Sequence, residues 1–108
     1  MKRGDVVVVA LPGDFGKPRP AVVVQSDALN DAWPTLAVAP LTTTIADAPL
    51  LRVTVDPSPM NGLRSVSQIM IDKTMPVRRR RVGATVGRLE DDILRRVDRA
   101  LAVWLGLA

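Results

Sequence analysis

Arg19 stands between two prolines in Gly16-Lys17-Pro18-Arg19-Pro20. Proline locks φ and removes a backbone donor, and the residue before a proline is pushed to extended geometry. Arg19 is therefore held on a stiff lead-in beside Lys17. Its guanidinium is a planar fork of donors that matches a phosphate and stays charged at any working pH. Either that fork meets a phosphate in one geometry, or the stretch is a proline-rich turn with solvated charges. A second polar cluster, Thr42-Thr43-Thr44, follows Pro40-Leu41. Its hydroxyls and amides either hold phosphate oxygens or simply suit a strand end. In Ser65-Val66-Ser67-Gln68, alternation sets Ser65, Ser67 and Ile69 on one face and Gln68 between Val66 and Met70 on the other. Gln68 then either pairs with a buried polar group or faces a groove. Arg78, Arg79, Arg80 and Arg81 run consecutively. Such a run either grips phosphates without reading sequence, or is a solvated or partner-binding charge run.

The missing residue types narrow the chemistry. The chain has no histidine and no cysteine, which removes the commonest general base, the commonest metal ligand and any thiolate site. Asp5, Asp14, Asp27, Asp31, Asp47, Asp56 and Asp72 show no clustered ligand spacing. No glycine-rich phosphate loop or nucleophile elbow is present. No metal and no cofactor are expected. Fifteen Lys and Arg against eleven Asp and Glu give a net charge of +4, a balance consistent with a polyanionic partner. The aromatics are Phe15, Trp33 and Trp104, too few for a broad base-stacking platform.

These groups must be positioned by a small framework. A length of 108 residues suits one domain over 1–108 with one core. Val6 to Leu11 reads as a buried strand, and Pro20 to Gln25 as its hairpin partner. Ser26-Asp27 can cap a short helical turn over Ala28 to Asn30. Leu36 to Leu41 reads as a third strand, in which Pro40 implies an edge position or a bulge. Leu51 to Val55 and Ser65 to Ile71 read as the fourth and fifth. Val82 to Gly87 suits a short strand or a loop. Ile93, Leu94, Val97, Leu101, Trp104 and Leu105 recur at helical spacing, with Asp91 and Asp92 in the first turn and Gly106 placed to end it. The sum is an α+β fold: a strongly bent, mostly antiparallel sheet or small open barrel with a C-terminal amphipathic helix. No segment suits a signal peptide or a membrane span, so a soluble, cytoplasmic chain is expected.

Taken in order, "KRGDVVVVAL", "KPRPAVVVQ", "LAVAPLTTT", "GLRSVSQIMIDKTMPV" and "VGRLEDDILRRVDRALAVWLGL" resemble the MazF/PemK (Kid) family of toxin endoribonucleases over nearly the whole chain. The resemblance implies an SH3-like barrel of the MazF/CcdB type, assembled as a homodimer. It implies a metal-independent ribonuclease that cuts single-stranded RNA at short motifs by 2′-hydroxyl attack, arresting growth. It also implies a cognate antitoxin with an acidic disordered tail. On this likeness Arg19 takes the place of the catalytic arginine and Thr42 that of the phosphate-binding hydroxyl residue, with Thr43 and Thr44 adjacent. Gln25 and Gln68 fall at polar groove positions. The Kid branch carries an Arg and an Asp before its fifth-strand Gln and a histidine in its first loop. Here Ser65 and Ser67 occupy the corresponding strand positions, and no histidine exists. Other members have a first-loop glutamate, where Asp14 is the possible acid or base. Two other functions fit the same fold: a CcdB-like gyrase inhibitor and an inactive antitoxin-binding member. CcdB-type toxins use a C-terminal Trp-Gly pair. Here Leu105 separates Trp104 from Gly106, and Trp104 falls on the helix's apolar stripe, which places it in the core.

Overall fold

The computed structural model describes residues 1–13 and 17–108. β1 (Asp5–Ala10) and β2 (Pro18–Val23) form the expected antiparallel hairpin, in register from Val6 opposite Val22 to Ala10 opposite Pro18. β-Branched side chains fit a pleated surface buried on both faces; Val6, Val7 and Val9 are at most 1% exposed. Ser26 caps the short α1 (Asp27–Asn30) by accepting the Ala28 N–H. β3 (Thr35–Thr42) follows, then β4 (Arg52–Val55), β5 (Ser67–Met70), β6 (Met75–Arg78), β7 (Val82–Arg88) and α2 (Asp91–Trp104). All strand pairs are antiparallel. The order is β4-β5-β3-β2-β1-β7, with β6 also paired to β3.

β3 is central, not an edge. Along one side it pairs with β2 (Ala21 opposite Pro40), and along the other with β6 over Thr35–Val38 and then with β5 at Leu41–Thr42. Pro40 lies in the gap between those two partners. The Val24 N–H donates to Ala37 O, so alternation turns the nitrogens of Val38 and Pro40 away from β2. The missing donor therefore falls where β3 changes partner, and no ladder bond is lost. β6, which the sequence does not announce, has one buried residue, Val77.

The pleat sorts the core into two clusters. Val6, Val22, Ala39, Leu41, Val53 and Ile69 face α2, which contributes Val97 and Ala100. Val7, Val9, Ala21, Val23, Leu36, Val38 and Val77 face the other way, and Val82 of β7 packs on them. Val77 and Val82 come from the two ends of the run β6-β3-β2-β1-β7, so the sheet curls until those ends share one cluster. The 3-10 turn Arg79–Arg81 joins them. The result is the bent, barrel-like sheet expected, without closure.

α2 ends in a Schellman motif: Leu107 N–H donates to Ala102 O and Gly106 N–H to Val103 O, with Gly106 at φ +75. Trp104 is not in the core. It is 47% exposed, and Leu105 and Leu107 beyond it are more so. The helix overhangs the sheet there, so the stripe continues past the surface that covers it. Between β4 and β5, Asn61 is fully buried and holds its loop: it accepts from the Ser58 and Leu63 amides and donates to Asp56 O and to Glu90. Glu90 occupies the N-cap position of α2 without a side-chain capping bond, and its carboxylate sits below the usual range chiefly because the Ser58 hydroxyl donates to it, helped by its own backbone amide and by Asn61.

Candidate active site

The two residues singled out first are brought together. The β2–β3 register pairs Ala21 with Pro40, and carried two residues further it sets Arg19 level with Thr42. Pro20 has no N–H to continue the ladder, so the pairing stops at Ala21–Pro40, two residues short of Arg19 and Thr42. Side chains alternate along each strand. Arg19 therefore projects to the same face as Ala21 and Val23, and Thr42 to that of Val38 and Pro40. Both are at the rim of the second cluster. Arg19 is exposed and directly opposite Val9; Thr42 is half-buried.

The row extends further. Thr42 pairs with Gln68 across β3–β5, and Gln68 with Thr54 across β5–β4. The register thus aligns Arg19, Thr42, Gln68 and Thr54 across four adjacent strands; the row on one side, with Leu41, Ile69 and Val53, is apolar, and the row on the other carries Thr43 and Ser67.

Within the row the roles differ. Thr42 Oγ1 accepts the Thr44 N–H at 3.1 Å. That bond folds the strand end into a tight turn, and it leaves the Thr42 hydroxyl proton to donate outward. Thr43 and Thr44 are exposed. Gln68 is buried and satisfied: Oε1 accepts from Ala46 N at 3.0 Å, and Nε2 donates to Ala46 O at 3.0 Å and Thr54 Oγ1 at 3.3 Å. It holds the chain after Thr44 against the sheet. Gln25 does the same for the start of β3, donating to Thr35 O and accepting from Ala37 N, both at 3.1 Å. Both glutamines position backbone. Ser67 is buried and donates to Ser65 O at 2.9 Å, while Ser65 and Lys17 are exposed. Asp14, the possible acid or base, lies outside the described residues.

Past Gln68 and Thr54 the row opens into a cavity of about 450 Å³ between the 46–50 segment, β4 and α2, which Arg52, Arg96 and Arg99 line together with one carboxylate, Asp47. Arg52 is 3.9 Å from Asp72. Arg79 behaves differently from its neighbours, since its Nε donates to Trp33 O at 2.7 Å and it is half-buried, while Arg78, Arg80 and Arg81 are exposed. Among the described residues no group of three or more acids, histidines or cysteines could hold a metal ion. The arrangement offers an exposed guanidinium on a proline-stiffened backbone and a hydroxyl with nearby amides on one rim, which suits a phosphodiester.

Comparison with known proteins gives a consistent picture. A family model described as the PemK-like, MazF-like toxin of type II toxin–antitoxin systems matches residues 2–105. The chain is 46% identical over 109 residues to a probable endoribonuclease MazF of Mycolicibacterium smegmatis, covering 100% of this chain and 99% of the relative. It is 31% identical over 112 residues to endoribonuclease EndoA of Bacillus subtilis, covering 99% and 96%. Its fold matches the Mycobacterium tuberculosis toxin MazF-mt6 with a TM-score of 0.83 at 23% identity, over 96% of this chain and 98% of that one. It also matches a mycobacterial endoribonuclease solved with its cognate antitoxin, with a TM-score of 0.83 at 23% identity, over 100% and 97%.

Proposed function

The chain belongs to the PemK-like, MazF-like family of type II toxin–antitoxin toxins and is an endoribonuclease, and we propose that it cuts single-stranded RNA on the rim where Arg19 meets Thr42. The observation that supports this reading is the β2–β3 register, which, carried two residues on, brings the proline-flanked Arg19 level with Thr42. In the reaction the RNA 2′-oxygen loses its proton and attacks the adjacent phosphorus. The bond to the 5′-oxygen breaks and that oxygen takes a proton, leaving a cyclic phosphate and a 5′-hydroxyl. Arg19 stabilises the charge growing on the phosphoryl oxygens. Thr42 donates to the same group, and the Thr43–Thr44 turn fixes its direction. Asp14 is assigned the proton transfer on the sequence alone. The cut needs no metal in this reading, because the guanidinium supplies the positive charge. DNA, lacking the 2′-hydroxyl, is left intact.

The cavity beyond Gln68, with Arg52, Arg96 and Arg99, suits the acidic tail of a cognate antitoxin, which would cover the track. Exposed Trp104, Leu105 and Leu107 form an apolar end that a second copy of the chain, 1–108 as one domain, would bury in a homodimer. No helix is long and apolar enough to cross a membrane, and we place the protein in the cytoplasm with its RNA. Arg19→Ala tests the reading: cleavage should fall by about 10²- to 10³-fold with thermal stability unchanged. Full cleavage by that variant removes Arg19 from the mechanism.

A further inference from the structure

The arginine turn between β6 and β7 has no role in the chemistry above, and its placement gives it one. Arg79 is an anchor: its Nε bond to Trp33 O pins the turn to the loop after α1. Arg78, Arg80 and Arg81 point outward. With Pro12, Pro76 and Val77 they line a cleft of about 380 Å³. Among the described residues none of these arginines has a carboxylate within ion-pair distance. Three guanidinium groups in one cleft repel one another, and a bound anion relieves the repulsion that water and salt leave unscreened. The cleft walls are two prolines and a strand residue, so the site is stiff before anything binds.

Its position relative to the cutting site is fixed by register. Val82, the residue after Arg81, pairs with Val9, and Val9 pairs with Arg19. Two interstrand spacings, about 10 Å, separate the end of the turn from Arg19, along the continuation of the Thr54–Gln68–Thr42–Arg19 row past β1. That is a reach of one or two nucleotides along an extended RNA strand. We propose that Arg78, Arg80 and Arg81 bind the backbone phosphates of the substrate RNA next to the scissile one, on the β1–β7 side, and thereby tighten its binding without reading its bases. The proposal rests on the RNA reading of Arg19. An acidic polypeptide is the less favoured occupant, because the cleft lies on the continuation of the row that holds Arg19, where the RNA strand runs.

The test measures binding of a single-stranded RNA methylated at every 2′-hydroxyl, which cannot be cut by 2′-attack, at a series of salt concentrations. Each phosphate contact on a single strand contributes about 0.7 to the slope of log affinity against log salt. Arg78→Gln/Arg80→Gln/Arg81→Gln should lower that slope by about 1 to 2, and Arg80→Gln alone, at an exposed position, by about 0.7. Replacement of the three by lysine should keep most of the slope. The kcat on unmodified RNA and the cut positions should match wild type, with the loss appearing in KM. An unchanged slope in both Gln variants overturns the proposal, and weakened binding of poly-glutamate with that unchanged slope assigns the cleft to an acidic protein instead. A fall in kcat at unchanged slope also overturns it. Cutting of unmodified RNA by the wild-type protein and by Arg19→Ala, measured alongside, reports on the Arg19 reading separately.

Discussion

Replacing Gln68 with leucine should cost about 2–3 kcal/mol, the sum of its hydrogen bonds at about 1 kcal/mol each. Gln68 makes two bonds to Ala46 at 3.0 Å and one to Thr54 at 3.3 Å. Leucine fills similar volume, so packing loss adds little. Ala46 is exposed, so water replaces the lost partner at its amide and carbonyl, and no orphan penalty enlarges the figure. For a chain of this size the loss corresponds to a fall in Tm of about 10 °C. In urea the midpoint should drop with an unchanged slope. Cleavage should fall as well, because the segment held by Gln68 begins at the Thr42–Thr44 turn. Gln68→Glu sharpens the test. Its carboxylate can still accept from Ala46 N, but its second oxygen then faces Ala46 O, replacing attraction by repulsion. It should be at least as unstable as the leucine variant at neutral pH. Wild-type stability in Gln68→Leu, with cleavage reduced, would refute the clamp and make Gln68 a direct RNA contact.

Three further predictions concern the framework and the fork. A Cβ at Gly87 would lie 2.4–2.5 Å from the backbone of Met60 and Asn61, so Gly87→Ala should destabilise by about 3 kcal/mol, measured by urea unfolding. The folded-state pKa of Glu90 is depressed, so its contribution is full above the unfolded carboxylate value, about 4.3, and is lost as pH falls through the lower folded value. Urea midpoints taken between about pH 6 and about pH 3 should show that loss, and Glu90→Gln should flatten it. Arg19→Lys keeps the charge but not the planar fork, so kcat should fall by about 10- to 100-fold at unchanged Tm.

Much of this fold is written locally. The valine runs of β1 and β2, the cap at Ser26 and the Ile93–Leu101 stripe each carry their own signal. β6 does not, because Met75–Arg78 contains a proline and one buried side chain, and its pairing with Thr35–Val38 is decided by distant residues. Pro40 misleads for a related reason: a proline is tolerated inside a central strand where two partners leave a gap, and sequence does not show gaps. The Trp104 stripe shows which face of a helix is apolar, not where the sheet beneath it stops. At the site, Arg19 and Thr42 are recognisable one at a time, but their alignment depends on a register between strands and has no local signature. Gln25 and Gln68 are legible as polar residues in apolar surroundings. Only the backbone atoms opposite them, Thr35, Ala37 and Ala46, show that they position the chain.

The most direct test of the central claim is to incubate the purified protein with a long single-stranded RNA in EDTA and map the cut ends, beside Arg19→Ala and the corresponding DNA. Cuts at a repeated short motif, with 5′-hydroxyl ends, absent from the DNA and lost in Arg19→Ala, are the result expected. Cuts that vanish in EDTA, that leave 5′-phosphates, or that persist in Arg19→Ala would contradict a metal-free 2′-hydroxyl attack organised by Arg19 and Thr42.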